Sequence, residues 1–214
     1  MKASLQLLAP RVYSIPVEAA PVDDPDIDRE AWTALDAAEH SVIEVSVHRC
    51  APALVRELRR VFDESSDIGS KLGDASLAQQ VLAVPTFQPS KLDLVSIGAD
   101  IELEKHIKLV KFYSWCKRLC ECLEAQGFWA DYIDPCSGFP VRSSRGASPY
   151  SEIDGLRTLL PYSTFTTGPC TVVSHPRWNT HCYPATMFVA APVDQVERAL
   201  ETIAAAIDES ECQQ

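Results

Sequence analysis

From Ile101 to Gln126 the chain carries one uninterrupted helical pattern, in which Ile107, Val110, Leu119, Leu123 and the aromatics Phe112 and Trp115 mark a wide apolar face. Gly127 directly behind it supplies a C-cap. Phe128 to Ile133 then turns extended and stops at Asp134-Pro135, because the residue before a proline is pushed out of helical geometry. A helix of this length running straight into a strand is the spine of a scaffold, and the other elements are read around it.

Upstream, Ser41 to His48 alternates Val42, Glu44 and Ser46 against Ile43, Val45 and Val47, the period of a half-buried strand. Ala51 to Phe62 sets Leu54, Leu58 and Phe62 four apart, one helical stripe. Asp63 to Ala78 reads as a loop with room for one helical turn. Val81 to Phe87 and Leu92 to Ile97 read as two strands joined by Gln88-Pro89-Ser90-Lys91 and paired antiparallel. Downstream, Phe139 to Thr166 is irregular with a short helix from Glu152 to Leu159, and Val193 to Asp208 is an amphipathic helix behind Pro192.

This order predicts an α+β fold, a mostly antiparallel sheet flanked by helices. Residues 1–38 form an N-terminal extended arm with a short helix from Ile27 to about Ala38, residues 39–208 a single α+β domain, and residues 209–214 a tail.

Charge narrows the function. With 30 acidic against 19 basic residues the formal charge is −11, which repels nucleic acid and anionic lipid. No stretch approaches the roughly 20 apolar residues of a membrane span. Eight cysteines without an export signal point to a reducing compartment. Residues 1–17, with Lys2 and Arg11 and no acid before Glu18, carry a weak transit-peptide character, so the expected location is the cytoplasm with a mitochondrial pool allowed.

Chemistry concentrates in Thr167 to His181, Thr-Gly-Pro-Cys-Thr-Val-Val-Ser-His-Pro-Arg-Trp-Asn-Thr-His. Cys170 to Ser174 reads as a strand and Tyr183 to Val189 as its hairpin partner. With Trp178 at the tip, His175 faces His181 and Ser174 faces Cys182. The two histidines fit a hydrogen-bonded pair better than a metal site, since a third donor of known spacing is missing. Cys116, Cys120 and Cys122 read as buried small side chains, not zinc ligands. Cys50 and Cys136 stand at element ends. Asp131 and Asp134 read as turn-capping and sheet-edge acceptors ahead of a catalytic carboxylate pair. Nucleotide-binding, serine-hydrolase and zinc-protease motifs are absent.

Two passages together carry a resemblance: Glu124-Ala-Gln-Gly-Phe-Trp-Ala-Asp-Tyr-Ile-Asp-Pro-Cys-Ser-Gly138, and Gly168 to His181. They are similar to Glu-Gly-Tyr-Trp-Ala-Asp-Phe-Ile-Asp-Pro-x-Ser-Gly and Cys-Cys-Lys-Val-Ile-Arg-His-x-x-Trp-Gly-Thr-His in the CblD-type cobalamin trafficking proteins, the methylmalonic aciduria and homocystinuria type D family. The resemblance covers most of residues 40 to 192. It implies a nitroreductase-like fold without flavin and without catalysis of its own.

It also implies an adaptor that docks on the cobalamin-processing protein CblC and helps direct cofactor to methionine synthase or methylmalonyl-CoA mutase. Cobalamin is expected only in complex with that partner, and a homodimer stays open. In the family the first cysteine of the Cys-Cys pair is the thiolate that ligates cobalt. Here that position is Pro169, which has no ligand atom, so the carry-over reaches only Cys170, with His175, Trp178 and His181 in support. The competing readings are a nitroreductase-like or thiol-redox enzyme, and a partner-binding relative that has lost cobalt ligation.

Overall fold

The helical periodicity of residues 101–126 becomes α5 (Ala99–Glu124), 26 residues long. It ends as the glycine behind it dictates: Gly127 takes φ +82 and the Phe128 N–H returns to the Leu123 carbonyl at 3.0 Å. The computed structural model describes residues 11–17, 29–36, 41–168 and 170–211. Around α5 stand β1 (Val12–Pro16), α1 (Arg29–Leu35), β2 (Val42–Ser46), β3 (His48–Arg49), α2 (Pro52–Val61), α3 (Asp67–Gly73), α4 (Ala75–Ala78) and β4 (Val81–Pro89). After it come β5 (Trp129–Tyr132), α6 (Glu152–Leu159), β6 (Ser163–Thr167), β7 (Cys170–Ser174), β8 (Cys182–Ala190) and α7 (Val193–Glu211).

The main sheet has the order β1-β2-β4-β8-β5, with β3 continuing beside β4, and its ladders are antiparallel. The fold is therefore α+β with a mostly antiparallel sheet, as the element order predicts. β4 and β8 form its centre, paired over nine positions from Val81↔Ala190 to Pro89↔Cys182. All nine residues of β4 are buried, the pattern of a strand covered on both faces. Leu82 and Val84 on β4, with Ala185, Met187 and Val189 on β8, enter a core shared with Phe112, Trp115, Leu119 and Leu123 of α5 and Val196 and Leu200 of α7. Val81, Ala83 and Phe188 point the other way, onto Leu54 and Leu58 of α2 and Ile68 and Leu72 of α3.

Four expectations change. Leu92 to Ile97 is a series of turns, because Glu104, buried on α5, takes the Lys91 and Leu92 N–H groups at 2.6 and 2.8 Å and bends the chain away from β4. The strands that β4 pairs with are β2, β3 and β8. Asp63 to Ala78 holds two helices, α3 and α4, capped by Ser66 and Asp74 side chains. The irregular stretch from Phe139 contains β6, built from β-branched threonines.

The fourth change concerns the expected hairpin. Cys170–Ser174 pairs with β6, from Ser163↔Ser174 to Thr167↔Cys170, and not with β8, which lies inside the main sheet. Neither the His175–His181 nor the Ser174–Cys182 pair forms. Val12 to Pro16, within the segment read as an N-terminal arm, is β1 and pairs with β2 as an outer strand of the main sheet. The arm's helix occupies Arg29–Leu35; its expected ends at Ile27 and Ala38 lie outside the described residues. Among the described residues no helix is long and apolar enough to cross a membrane.

Candidate functional site

The β6–β7 ribbon is a two-stranded sheet of its own. Its strands join through two residues, and Gly168 takes φ +56, a backbone state that glycine enters without a Cβ penalty. Pro169 lies outside the described residues. Cys170 opens β7 and is exposed.

At the far end of β7 the chain closes a tight turn. His175 N donates to Asn179 O at 2.9 Å and Asn179 N to His175 O at 2.8 Å. Asn179 sits at φ 51, where asparagine is among the residues that tolerate a left-handed backbone. His175 is buried, stacked on Trp178 at 4.3 Å with 16° between ring planes, and flanked by Phe87 and Tyr162 at 4.9 and 5.3 Å. The Arg177 N–H donates to its Nδ1 at 3.2 Å, so the ring proton resides on Nε2, which donates to Glu44 Oε1 at 3.0 Å. Burial lowers the His175 pKa below 6.5 against the pull of Glu44, and the imidazole is neutral at neutral pH. Arg177 completes the group, with Nη1 at 3.2 Å from Glu44 Oε2 and its guanidinium over the Trp178 ring at 4.9 Å.

His175 and Trp178 are thus one cluster, whose anchor, Glu44, comes from β2. The sequence puts Glu44 on the polar phase of a half-buried strand, but the turn covers it and leaves it 7% exposed. His181 is outside the cluster: its side chain is exposed and its carbonyl accepts from Ser90 N at 3.0 Å. Cys170 is also separate, five residues along an extended strand from His175, or about 16 Å at ~3.3 Å per residue.

Beside Cys170 lies a cavity of about 660 Å³, lined also by Cys136, Glu152, Cys182 and Tyr183. Cys182 is buried and its thiol is pushed up to about 12 by burial, while its Sγ donates to Asn179 O at 3.4 Å. Cys136 sits on the turn that Asp134 organises, and burial together with the Asp134 charge raises its thiol. Glu152 follows the N-cap Ser151 and accepts from Thr186 Oγ1 at 2.6 Å. Burial pushes its carboxyl up to about 7, the Thr186 hydrogen bond pulling the other way. The sequence offers no signal for Glu152, since an acid in the first turn of a helix is ordinary.

The remaining candidates are structural. Cys116 and Cys120 lie in the main core, Cys122 is partly buried, and burial pushes the Cys120 thiol up to about 11. Asp131 takes the N–H groups of Tyr132, Arg142 and Ser143 at 2.7, 3.0 and 2.7 Å. Asp134 takes those of Cys136 and Ser137 at 3.1 and 3.2 Å. Both are the turn and sheet-edge acceptors that the sequence suggests.

Comparison with known proteins bears on the whole domain. The family model for the methylmalonic aciduria and homocystinuria type D protein matches residues 19–202. The mouse protein named cobalamin trafficking protein CblD is 29% identical over 171 residues, covering 80% of this chain and 54% of the relative. The human protein of the same name is 26% identical over 172 residues, with the same two shares. The chain spans about half the length of the curated relatives it matches. Both passages that carry the resemblance fall within the matched residues, and the chain belongs to the methylmalonic aciduria and homocystinuria type D protein family.

Proposed function

We propose that the chain is a non-enzymatic adaptor in intracellular cobalamin trafficking. In this reading it docks on a CblC-type processing protein and helps direct cofactor to methionine synthase or methylmalonyl-CoA mutase, with the Cys170 thiolate ligating cobalt during transfer. The nitroreductase-like fold, and a cytoplasmic location with a mitochondrial pool, belong to the same proposal.

The observation that carries it is the placement of Cys170: exposed, at the first position of a strand outside the main sheet, next to a two-residue connection. A thiol offered there can meet a metal centre presented by another protein. Pockets of a few hundred Å³ suit drug-sized ligands, and a corrinoid is larger than the cavity beside Cys170, so the cargo is met at the surface. Arg177 is held by Glu44 and His175 is neutral, both at the other end of β7, so neither supplies the positive charge that favours a thiolate. Cobalt itself does, because a metal cation acidifies a coordinating thiol, whose proton leaves to solvent, and soft sulfur suits it.

The test is a spectral titration. Adding this protein to its processing partner loaded with cobalamin and reductant should shift the cobalt absorption bands, and Cys170→Ser should abolish the shift while leaving the complex intact. An unchanged spectrum with the wild-type chain removes cobalt ligation and leaves docking. A copurifying flavin, or turnover of a thiol substrate, overturns the non-enzymatic part.

A further inference from the structure

The cavity beside β7 contains a carboxylate that the fold leaves half paired. Thr186 holds Glu152 Oε1, whereas Oε2 has no exposed surface and no hydrogen-bond partner among the described residues. Unpaired buried acceptors are few in native folds, and the Tyr150 hydroxyl, which feels the Glu152 charge, is likewise unpaired among the described residues, so both groups ask for a partner. The walls around it are largely apolar, with Leu109 from α5, Ile153 from α6 and Val172 from β7. The lysine of the wall, Lys105, is already paired with Glu102 at 2.8 Å. Over the chain, a formal charge of −11 draws cations and repels anions.

From this combination we propose that the cavity between α5, α6 and β7 binds a small molecule with an apolar body and a primary ammonium head, the head pairing with the Glu152 carboxylate. A concave, mostly apolar site with one fixed polar group is the usual form of a small-ligand pocket. The terminal torsion of a glutamate is broad and two-fold, so a small rotation turns one oxygen to the incoming head while Thr186 keeps the other. A charge-assisted bond formed away from water is worth more than a neutral one. The site is independent of cobalt ligation, since Cys170 lines the cavity but contributes no charge to the recognition.

The pairing needs an ionised carboxylate. Burial places Glu152 at about 7, so the site is switched off as pH falls below neutrality. The other titratable groups around Glu152 are Tyr150 and Tyr183, both raised by burial and by the Glu152 charge among others. Glu57 of α2 lies nearby with its Oε1 on Ser151 N, and Glu102, Lys105 and His106 of α5 line the cavity.

Titration calorimetry of the full chain with n-hexylamine, 1-hexanol and hexanoate tests the head group on a constant body. At pH 8 hexylamine should bind at least about tenfold more tightly than the other two, the gain of one charge-assisted contact. That preference should shrink at pH 5.5 and vanish in Glu152→Gln, and bound hexylamine should slow alkylation of Cys170 by iodoacetamide, read by mass spectrometry. Absence of saturable hexylamine binding, equal affinity for the three probes, an unprotected Cys170, or a preference that survives both pH 5.5 and Glu152→Gln overturns the proposal. If Glu152→Gln does not fold, the pH comparison on the wild-type chain decides.

Discussion

Glu44 holds two side chains of the His175–Asn179 turn at once, His175 through Oε1 and Arg177 through Oε2. It thereby joins a surface turn to the second strand of the sheet, and leaving such a buried group without its partner costs about 1–3 kcal/mol. Glu152 is its opposite, a carboxylate with one oxygen satisfied, and it should write its signature on the pH dependence of stability. Burial raises it to about 7 from the 4.5 of a free glutamate, so the stability it contributes is complete below about 4.5 and is lost as pH rises through about 7. Glu152→Gln lacks this dependence and should gain on the wild type by something on the order of 3 kcal/mol between pH 4.5 and 8. Urea unfolding of both proteins across that range checks it. His175 has the reverse sign, its lowered pKa favouring the fold above about 6.5 and costing stability below, and it cancels in the difference because both proteins carry it. At this scale the cysteines of α5 and the two aspartates of the 131–134 segment were legible, because short-range spacing decides their fate. Glu44 and Glu152 were not, since each is defined by a residue more than 30 positions away.

Among the elements, α6 is pinned by a glycine as much as by its leucines. A Cβ built on Gly155 would fall 1.7 Å from the Tyr150 hydroxyl, so the first turns of α6 lie against that ring. Alanine is the better helix former by about 1 kcal/mol, but forcing a methyl into a filled space costs about 1–3 kcal/mol. Gly155→Ala should therefore lower the melting temperature despite its helical gain, and calorimetric melting decides the sign. Helices α2, α5, α6 and α7 could be read from their periodicity. Strand partners could not: alternation says that a segment is extended but not which edge it meets. The apolar run Leu92 to Ile97 resembles a strand until Glu104 captures its first N–H groups. The numerical symmetry about Trp178 suggested a hairpin with β8, but β4 takes β8 along nine positions and leaves β7 to β6.

At the scale of the molecule, the β4–β8 pair is covered from both sides, by α5 and α7 on one face and α2 and α3 on the other. A buried lysine helps to close the first of these layers, with Lys111 Nζ of α5 bonded to the Asp36 carboxylate behind α1 and to Ser41 Oγ at 2.8 Å. The β6–β7 ribbon joins this through Val173, buried with Phe87 of β4, Cys182 of β8 and, on the α6 side, Leu156 and Leu160. It pairs with no strand of the main sheet, four of the five β6 residues are exposed, and Phe165 keeps 44% of its surface in water. A lone two-stranded ribbon is marginally stable in water, and its anchors, the clamp of His175 by Glu44 and the burial of Val173, lie towards the His175 end. Amide hydrogens from Thr164 to Val173 should exchange with deuterium far faster than those of β4 and β8, which should exchange only through global opening; mass spectrometry of peptic fragments would show it. Uniformly slow exchange across ribbon and sheet would mean a single cooperative unit. Fast exchange in the ribbon alone would make the strand that begins at Cys170 a separate unit of opening, able to change its position at a small fraction of the free energy needed to unfold the domain, while the sheet behind it keeps its register.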